Sequence, residues 1–190
     1  MEDKALEVIK TMLINRKFKI TEHEVVGNPL DETRMYTMDG VLIIFSEKSR
    51  LTEPVLNTYI SFAEEGYKNG TIIVTLIQPS DTVISLIRDY NSDLKKPFLQ
   101  IFDIRHIQFD ISTHRKVPPH RIITTEELAL LEKKMNITNS KKQLPWIDSQ
   151  DAMAKWIGAR DGDVVEILRF SESAGTTPYY RYCVGNVMQT

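Results

Sequence analysis

The sequence predicts a mixed α/β (α+β) fold with two domains: an N-terminal domain in which helices flank a mixed sheet, and a small C-terminal α/β domain. Segments with helical spacing of apolar residues alternate with short β-branched runs up to about residue 111. A polar, proline-containing segment at residues 112–120, STHRKVPPH, interrupts this series, which then restarts. We therefore predict domains at residues 1–112 and 113–190.

Two helices are predicted at the N-terminus. Residues 4–15 place apolar side chains at nearly helical spacing. Thr21 and Glu24 fit a capping box, in which the two side chains satisfy each other's backbone N–H groups. This pattern predicts a short second helix that ends near Gly27.

A β-hairpin and a buried strand are predicted next. Asp39-Gly40 separates two apolar runs, and this dipeptide is a strong signal for a two-residue hairpin turn. Residues 71–77, TIIVTLI, are β-branched and nearly all apolar, as in a strand buried on both faces. The other predicted elements of this domain are helices at 52–67 and 80–90 and strands at 98–102 and 106–111.

The C-terminal domain is predicted from caps, a proline and a final strand. Thr124 and Glu127 form a second capping-box pattern ahead of a helix. Pro145 favours an extended conformation for the residue before it. The other predicted elements are an extended segment at 121–123, a loop at 136–142, a helix capped by Asp148 or Ser149 and ended by Gly158, and a strand at 164–170.

Composition limits the classes of function. Hydrophobic residues make up 42% and charged residues 26% of the 190, as in a globular chain, and no apolar run approaches the roughly 20 residues of a membrane helix. The N-terminal segment resembles neither a signal nor a transit peptide. The single Cys183 excludes an internal disulfide and favours a reducing compartment. Proteins that bind nucleic acid without a partner protein usually have more basic than acidic residues. This chain has 24 basic and 26 acidic residues, so we expect it to contact nucleic acid only as part of a larger assembly.

A search for catalytic motifs finds none. There is no nucleophile elbow and no phosphate-binding glycine loop. The histidines lack further ligands at zinc spacing. A Mg²⁺-dependent nuclease would need an acid followed by Glu-x-Lys on the next strand. Asp39 has the right position for the acid. The Glu-x-Lys triplet Glu132-Lys133-Lys134, however, lies on a predicted helix rather than on the next strand, so the metal site is not formed. We therefore expect no catalytic residue, no metal and no cofactor.

The C-terminal domain carries a series of motifs in a fixed order. They are VPPH at 117–120, TTEE at 124–127, QLPWI at 143–147, DAMA at 151–154 with Gly158, GDVVEILRFSESAG at 162–175, and Tyr180-Arg181. This series closely resembles the assembly domain of the fifth subunit shared by eukaryotic nuclear RNA polymerases, a domain that archaeal RNA polymerases have as a small subunit of its own. The chain departs from the family pattern at Ala152, Asp161 and Ser173.

The N-terminal domain resembles the jaw domain of the same family more loosely. The resemblance covers MLINRKFKITEHEV at 12–25 and TIIVTLIQPSD at 71–81, where Pro79-Ser80 keep the family's loop and Gln78 and Asp81 replace its outer residues. A shortened, diverged jaw on a well-kept assembly domain resembles a copy encoded by a large DNA virus.

The resemblance implies a non-catalytic subunit of a multisubunit DNA-directed RNA polymerase. Its assembly domain would dock on the largest subunit, beside neighbouring subunits, and its jaw would lie along the downstream DNA channel, touching duplex DNA weakly and without sequence preference. No membrane contact is expected. The location would be the nucleus for a cellular protein, and the host cytoplasm or virion for a viral one. A Mg²⁺-dependent nuclease and a free-standing DNA-binding transcription factor are the alternatives.

The resemblance also selects candidate site residues. Those assigned to the subunit interface are Pro118, His120, Pro145, Arg169, Ser171, Glu172, Ala174, Gly175, Tyr180 and Arg181. Those placed near DNA are Gln78, Pro79 and Ser80. Arginine forks and tyrosine rings suit an interface, although Glu172 could instead pair with an arginine inside a hairpin. The start of a helix at Ser80 suits phosphate, although an ordinary helix cap explains it equally.

Overall fold

The computed structural model describes residues 1–20, 22–27, 30, 33–173 and 175–185. The chain forms two compact units, Met1–Asp110 and Ile111–Thr190. Within the described residues, no helix has both the length and the apolar character needed to cross a membrane.

The N-terminal unit is built on a five-stranded mixed sheet in the order β1-β2-β3-β4-β5. Its strands are β1 Glu24–Val26, β2 Thr33–Met38, β3 Val41–Ser46, β4 Thr71–Thr75 and β5 Leu99–Asp103. Its helices are α1 Glu2–Asn15, α2 Glu53–Gly66 and α3 Asp81–Ser92. Strands β1, β2 and β3 pair antiparallel, whereas β3, β4 and β5 pair parallel through connections that contain α2 and α3. The predicted mixed sheet with helices is confirmed.

The hairpin predicted at Asp39-Gly40 is present. Met38 pairs with Val41, and the two turn residues have φ of +47° and +74°. Both values are positive, as a type I′ turn requires, and this turn matches the twist of the flanking strands.

Strands β3 and β4 lie at the centre of the sheet and are buried at every position. Helices α2 and α3 pack on them through residues such as Leu56, Tyr59 and Ile87. A polar pair in this core is satisfied, since the hydroxyls of Ser46 and Tyr59 lie 3.0 Å apart. The predicted central strand at 71–77 is two residues shorter than expected, because Leu76 and Ile77 leave the sheet and are about half exposed.

Two predictions for this unit are wrong. Residues 24–26 form strand β1 rather than a helix, because the β-branched pair after Glu24 gains backbone pairing against β2; Thr21 lies outside the described residues. The strand predicted at 106–111 is absent, because a 3₁₀ turn at Ile104–Ile107 redirects the chain after β5. The Asp103 carboxylate starts this turn by accepting the Arg105 N–H at 2.9 Å.

The C-terminal unit contains a four-stranded sheet in the order β6-β8-β9-β7. Its strands are β6 His120–Ile122, β7 Trp146–Asp148, β8 Val164–Ser171 and β9 Gly175–Val184. Its helices are α4 Thr125–Met135, α5 Ser140–Gln143 and α6 Ala152–Ile157, after a 3₁₀ turn at Ile111–Thr113. Strand β7 runs parallel to β9, and the other pairs are antiparallel.

The helix caps of this unit agree with the sequence in two cases of three. Both hydrogen bonds of the Thr124–Glu127 capping box are formed, and Gly158 ends α6 with φ of +76°. The cap of α6 is Asp151, however, whose carboxylate accepts the N–H groups of the next helical residues. A bonded turn places the carbonyl of Asp148 against the N–H of Asp151, so the helix starts later than predicted. The predicted loop at 136–142 contains the start of α5.

The buried part of this sheet, at the base of β8 and β9, is covered on both faces. One face packs on α4 and α5 through Ile123, Leu131, Leu144 and Val164, and the other packs on α6 through residues that include Val165, Ile167 and Cys183. Burial raises the pKa of the Cys183 thiol to about 12, so it stays protonated at neutral pH and acts as a small core residue.

Gly70 gives a stability test for the N-terminal unit. Its φ is +123°, and an added Cβ would lie 2.8 Å from the carbonyl oxygen of Phe98. We expect Gly70→Ala to lower the free energy of unfolding by about 2–3 kcal/mol in a urea titration followed by circular dichroism. The control is Gly66→Ala at the end of α2, where an added Cβ would meet nothing within 4 Å. This substitution should leave the free energy of unfolding unchanged or raise it by about 0.5 kcal/mol. Equal effects would contradict the strained geometry at Gly70.

Candidate functional site

Strands β8 and β9 extend beyond their neighbours in the sheet. Strand β6 pairs only with residues 165–167, and β7 only with residues 182–184. The remaining residues of the hairpin, 168–171 and 175–178, are mostly exposed on both faces. A two-stranded hairpin has little stability of its own, so this projecting part is held mainly at its base.

Prolines end the sheet on both sides of the hairpin base. The carbonyl of Pro119 accepts the Leu168 N–H at 3.0 Å, and the carbonyl of Pro145 accepts the Tyr182 N–H at 2.9 Å. Prolines cannot donate to a strand ladder. His120 Nδ1–H donates to the Pro118 carbonyl at 2.6 Å, which fixes its ring at the start of β6. The structure thus brings Pro118, His120 and Pro145 to the base of the hairpin.

One face of the hairpin carries a stack of two arginines on one tyrosine. The guanidinium carbons of Arg169 and Arg181 lie 4.3 Å and 5.6 Å from the ring centre of Tyr179. Arg169 is exposed, whereas Arg181 is half-buried and donates from Nη1 to the Trp146 carbonyl at 3.0 Å. Arg169 is therefore accessible to a partner, while Arg181 ties β9 to β7. The candidate list omitted Tyr179, although strand alternation places it on the face of both arginines.

The turn of the hairpin is polar. The hydroxyls of Ser171 and Ser173 lie 3.1 Å apart, and Glu172 is exposed. Within the described residues Glu172 makes no ion pair, so the alternative of a local pair with an arginine is not formed there. Gly175 faces Ser171 with φ of +66°, a conformation that glycine adopts without strain. Ala174 lies outside the described residues.

The other face of the hairpin carries a network of charged hydrogen bonds. Tyr180 donates to Glu166 at 3.0 Å, and Arg121 donates from Nε to the second oxygen of Glu166 at 2.6 Å. Arg121 also donates from Nη1 to both oxygens of Glu127, at 2.8 and 2.9 Å. Glu127 in turn accepts the N–H of Thr124 at 2.8 Å. The network links β9, β8, β6 and α4.

The electrostatics of this network favour a charged Arg121 guanidinium and a neutral Tyr180 hydroxyl. Hydrogen bonds to Glu127 and Glu166 raise the pKa of Arg121. Burial, followed by the hydrogen bond to Glu166, raises the pKa of Tyr180. The Tyr180 hydroxyl therefore stays protonated and serves as an internal donor, so its ring rather than its hydroxyl is offered to a partner.

The residues predicted near DNA lie where α3 begins. Ser80 is the N-cap residue, without a side-chain hydrogen bond to the helix. Gln78, Pro79 and Ser80 line a depression of about 350 Å³ together with Lys48 and Arg50. These two basic residues were missed, although they follow β3 and the candidates follow its parallel neighbour β4. The carboxyl ends of parallel neighbours lie at one edge of a sheet, and that rule could have found them.

No group of three or more His, Cys, Asp or Glu side chains that could hold a metal ion occurs among the described residues.

Comparisons with known proteins assign the chain to a family. Residues 109–183 match the family described as RNA polymerase Rpb5, C-terminal domain. The DNA-directed RNA polymerase subunit Rpo5 of Sulfolobus acidocaldarius is 43% identical over 77 residues, which cover 40% of this chain and 89% of the relative. The chain belongs to the Rpb5/Rpo5 family. Rpo5 of Thermococcus onnurineus is 47% identical over 77 residues, which cover 40% of this chain and 92% of that relative.

A longer relative spans both units. The DNA-directed RNA polymerases I, II, and III subunit rpabc1 of Dictyostelium discoideum is 28% identical over 200 residues, covering 97% of this chain and all of the relative. The predicted Rpb5 family and the predicted non-catalytic polymerase subunit are thereby confirmed. The viral origin stays a prediction.

The Arg121–Glu166 pair can be tested by a double-mutant cycle. Arg121→Met removes the donor that faces a buried carboxylate, so we expect a loss of about 2 kcal/mol of unfolding free energy. In a Glu166→Gln background the same change should cost less than about 1 kcal/mol, because the buried carboxylate is gone and only Glu127, whose side chain is 41% exposed, loses its partner. Both tryptophans, Trp146 and Trp156, lie in the C-terminal unit, so urea unfolding followed by tryptophan fluorescence reports on it.

The control for this cycle is Arg115→Met, which changes an exposed arginine outside the network. An equal cost of Arg121→Met in both backgrounds would show that Arg121 does not act through Glu166.

Proposed function

We propose that this chain acts in a DNA-directed RNA polymerase by docking on the largest subunit through its C-terminal unit. Residues 113–190 form the assembly domain in this proposal, and residues 1–112 form the jaw. The observation that carries the proposal is the hairpin of β8 and β9, which projects from its sheet with both faces exposed and with an accessible arginine stacked on Tyr179.

The chemistry of the hairpin supports docking on a protein. A guanidinium stacked on a ring keeps its N–H groups free for carboxylates and carbonyl oxygens of a partner. The stack also orders the Arg169 side chain in advance, so less rotamer entropy is lost on binding. Hydrogen bonds within the unit fix the base from which the hairpin projects. They are made by Pro118, Pro119, Pro145, His120, Tyr180 and Arg181.

We further propose that the edge of the jaw formed by Gln78, Pro79 and Ser80 lies beside downstream duplex DNA. Lys48 and Arg50 share that edge and supply positive charge next to the start of α3. The acidic Asp81 in the first turn of α3 opposes phosphate. The contact is therefore weak, independent of sequence and made only within the assembled polymerase.

In this proposal the location of the protein is that of the polymerase into which it is assembled. A cellular polymerase places it in the nucleus, and a viral one places it in the host cytoplasm or the virion.

Arg169→Glu tests the docking proposal. We expect about tenfold less polymerase to co-purify with a tagged full-length chain, measured by quantitative mass spectrometry, because the charge facing the partner is reversed. Arg181 is left unchanged, because its bond to Trp146 belongs to the fold. Lys142→Glu is the control, since it reverses an exposed charge on α5. Normal assembly of the Arg169 variant would exclude the stacked face as the anchor.

Arg50→Glu tests the proposed DNA edge. We expect photo-crosslinking of downstream DNA to this subunit to fall about threefold in the assembled polymerase, with a weaker dependence on salt, because a cation near phosphate is lost. The control is Lys68→Glu, since Lys68 precedes β4 and so lies at the opposite edge of the sheet. Equal crosslinking by the two variants would place DNA away from this edge.

A further inference from the structure

We infer that a groove between α4 and the β8–β9 hairpin is a second docking site, which takes an apolar segment of a neighbouring polymerase subunit with a carboxylate next to Lys134. The inference rests on the proposed function, since the occupant belongs to the polymerase. The groove has a volume of about 480 Å³, and Leu130, Met135, Pro178 and Tyr180 supply apolar surface to it. It lies on the face of the hairpin opposite to Arg169.

The apolar surface of the groove is unusually exposed. Leu130 and Met135 are 69% and 54% exposed on α4. Strand register continues this surface along β8, because Leu168 and Phe170 point to the same side as Glu166, which lines the groove. Phe170 is 78% exposed. These four are the large apolar side chains that stand exposed in the described part of the C-terminal unit, and such a concentration marks an interaction surface.

The charges around the groove indicate the chemistry of its occupant. Glu127 and Glu166 are held by Arg121, and Thr124 and Tyr180 supply further donors to them. The charged groups at the floor of the groove are therefore hydrogen-bonded to one another. Apolar side chains can cover this floor without desolvating an unpaired charge. Lys134 stands at the rim, and within the described residues it makes no ion pair. A carboxylate of the occupant next to Lys134 would complete the site.

The chain offers matched variants for the test. Leu130→Glu places a charge in the groove, and Leu94→Glu does the same to a leucine of nearly equal exposure, 67%, in the other unit. Lys134→Glu reverses the rim charge, and Lys133→Glu reverses its exposed neighbour, which does not line the groove. A tagged full-length chain carrying each variant is purified with its polymerase and quantified by mass spectrometry. We expect about tenfold less polymerase with the groove variants and no change with the controls.

A crosslinking experiment identifies the occupant without any mutation. A carbodiimide joins lysines directly to carboxylates, so in the wild-type complex we expect Lys134 to be coupled to an Asp or Glu that lies among apolar residues of another subunit. Crosslinks at other lysines with none at Lys134 would overturn the proposal. Tryptophan fluorescence shows whether each variant of the C-terminal unit is folded, and circular dichroism shows it for Leu94→Glu. The crosslink at Lys134 decides the question if Leu130→Glu is not folded.

The outcomes separate the two proposals. Loss of polymerase with Arg169→Glu but not with Leu130→Glu or Lys134→Glu would overturn the groove and leave the proposed function standing. Failure of the wild-type chain to co-purify with any polymerase would remove both. A dimer of the isolated chain that Leu130→Glu dissociates would assign the groove to a second copy and overturn the proposed occupant.

Discussion

Glu166 lies in the buried half of β8, and a carboxylate in that position needs hydrogen-bond donors on both oxygens. Arg121 of β6 supplies one and Tyr180 of β9 supplies the other. Because the donors come from the strands on either side, their bonds favour one register for both pairings. The same guanidinium reaches Glu127 and so connects the start of α4 to the sheet. The positions of the hairpin and of the groove beside α4 both depend on this one charge.

The motif residues of the C-terminal unit divide into a supporting set and an exposed set. The supporting set forms hydrogen bonds with the unit's own backbone or side chains and consists of Tyr180, Arg181 and His120. Arg169 and Glu172 are exposed, and within the described residues the Arg169 guanidinium stacks on Tyr179 without forming a hydrogen bond or an ion pair. The sequence motif therefore contains both residues that set the shape of the projecting hairpin and residues that are exposed at its surface. Hydrogen bonding and exposure, rather than the motif itself, separate the two.

The sequence predicts well those elements that are specified by neighbouring residues. The turn at Asp39-Gly40 and the capping box of Thr124 need only local geometry, and both are formed as expected. The helix predicted to include residues 24–26 is not formed, because pairing with β2, a tertiary contact, outweighs the local capping pattern. The start of α6 was displaced to Asp151 by a turn that the cap rules do not include.

The candidate site shows the same division. Residues within motifs could be selected from the resemblance, and the structure gathers most of them at one hairpin. Phe170 and Lys134 were missed, since strand register or a neighbouring helix determines their surroundings. Lys48 and Arg50 join the predicted loop only because β3 and β4 are parallel neighbours.

The order of the strands along the chain has a kinetic consequence. The hairpin of β8 and β9 joins residues that are close in sequence, and such hairpins form within microseconds. Strand β7 must instead close a long loop to pair in parallel with β9, and Arg181 meets Trp146 across 35 positions. Non-local parallel pairing is slow to form. The projecting element should thus exist early in folding, and its edges are secured later, so pairing of β7 with β9 is the slow step that completes the sheet.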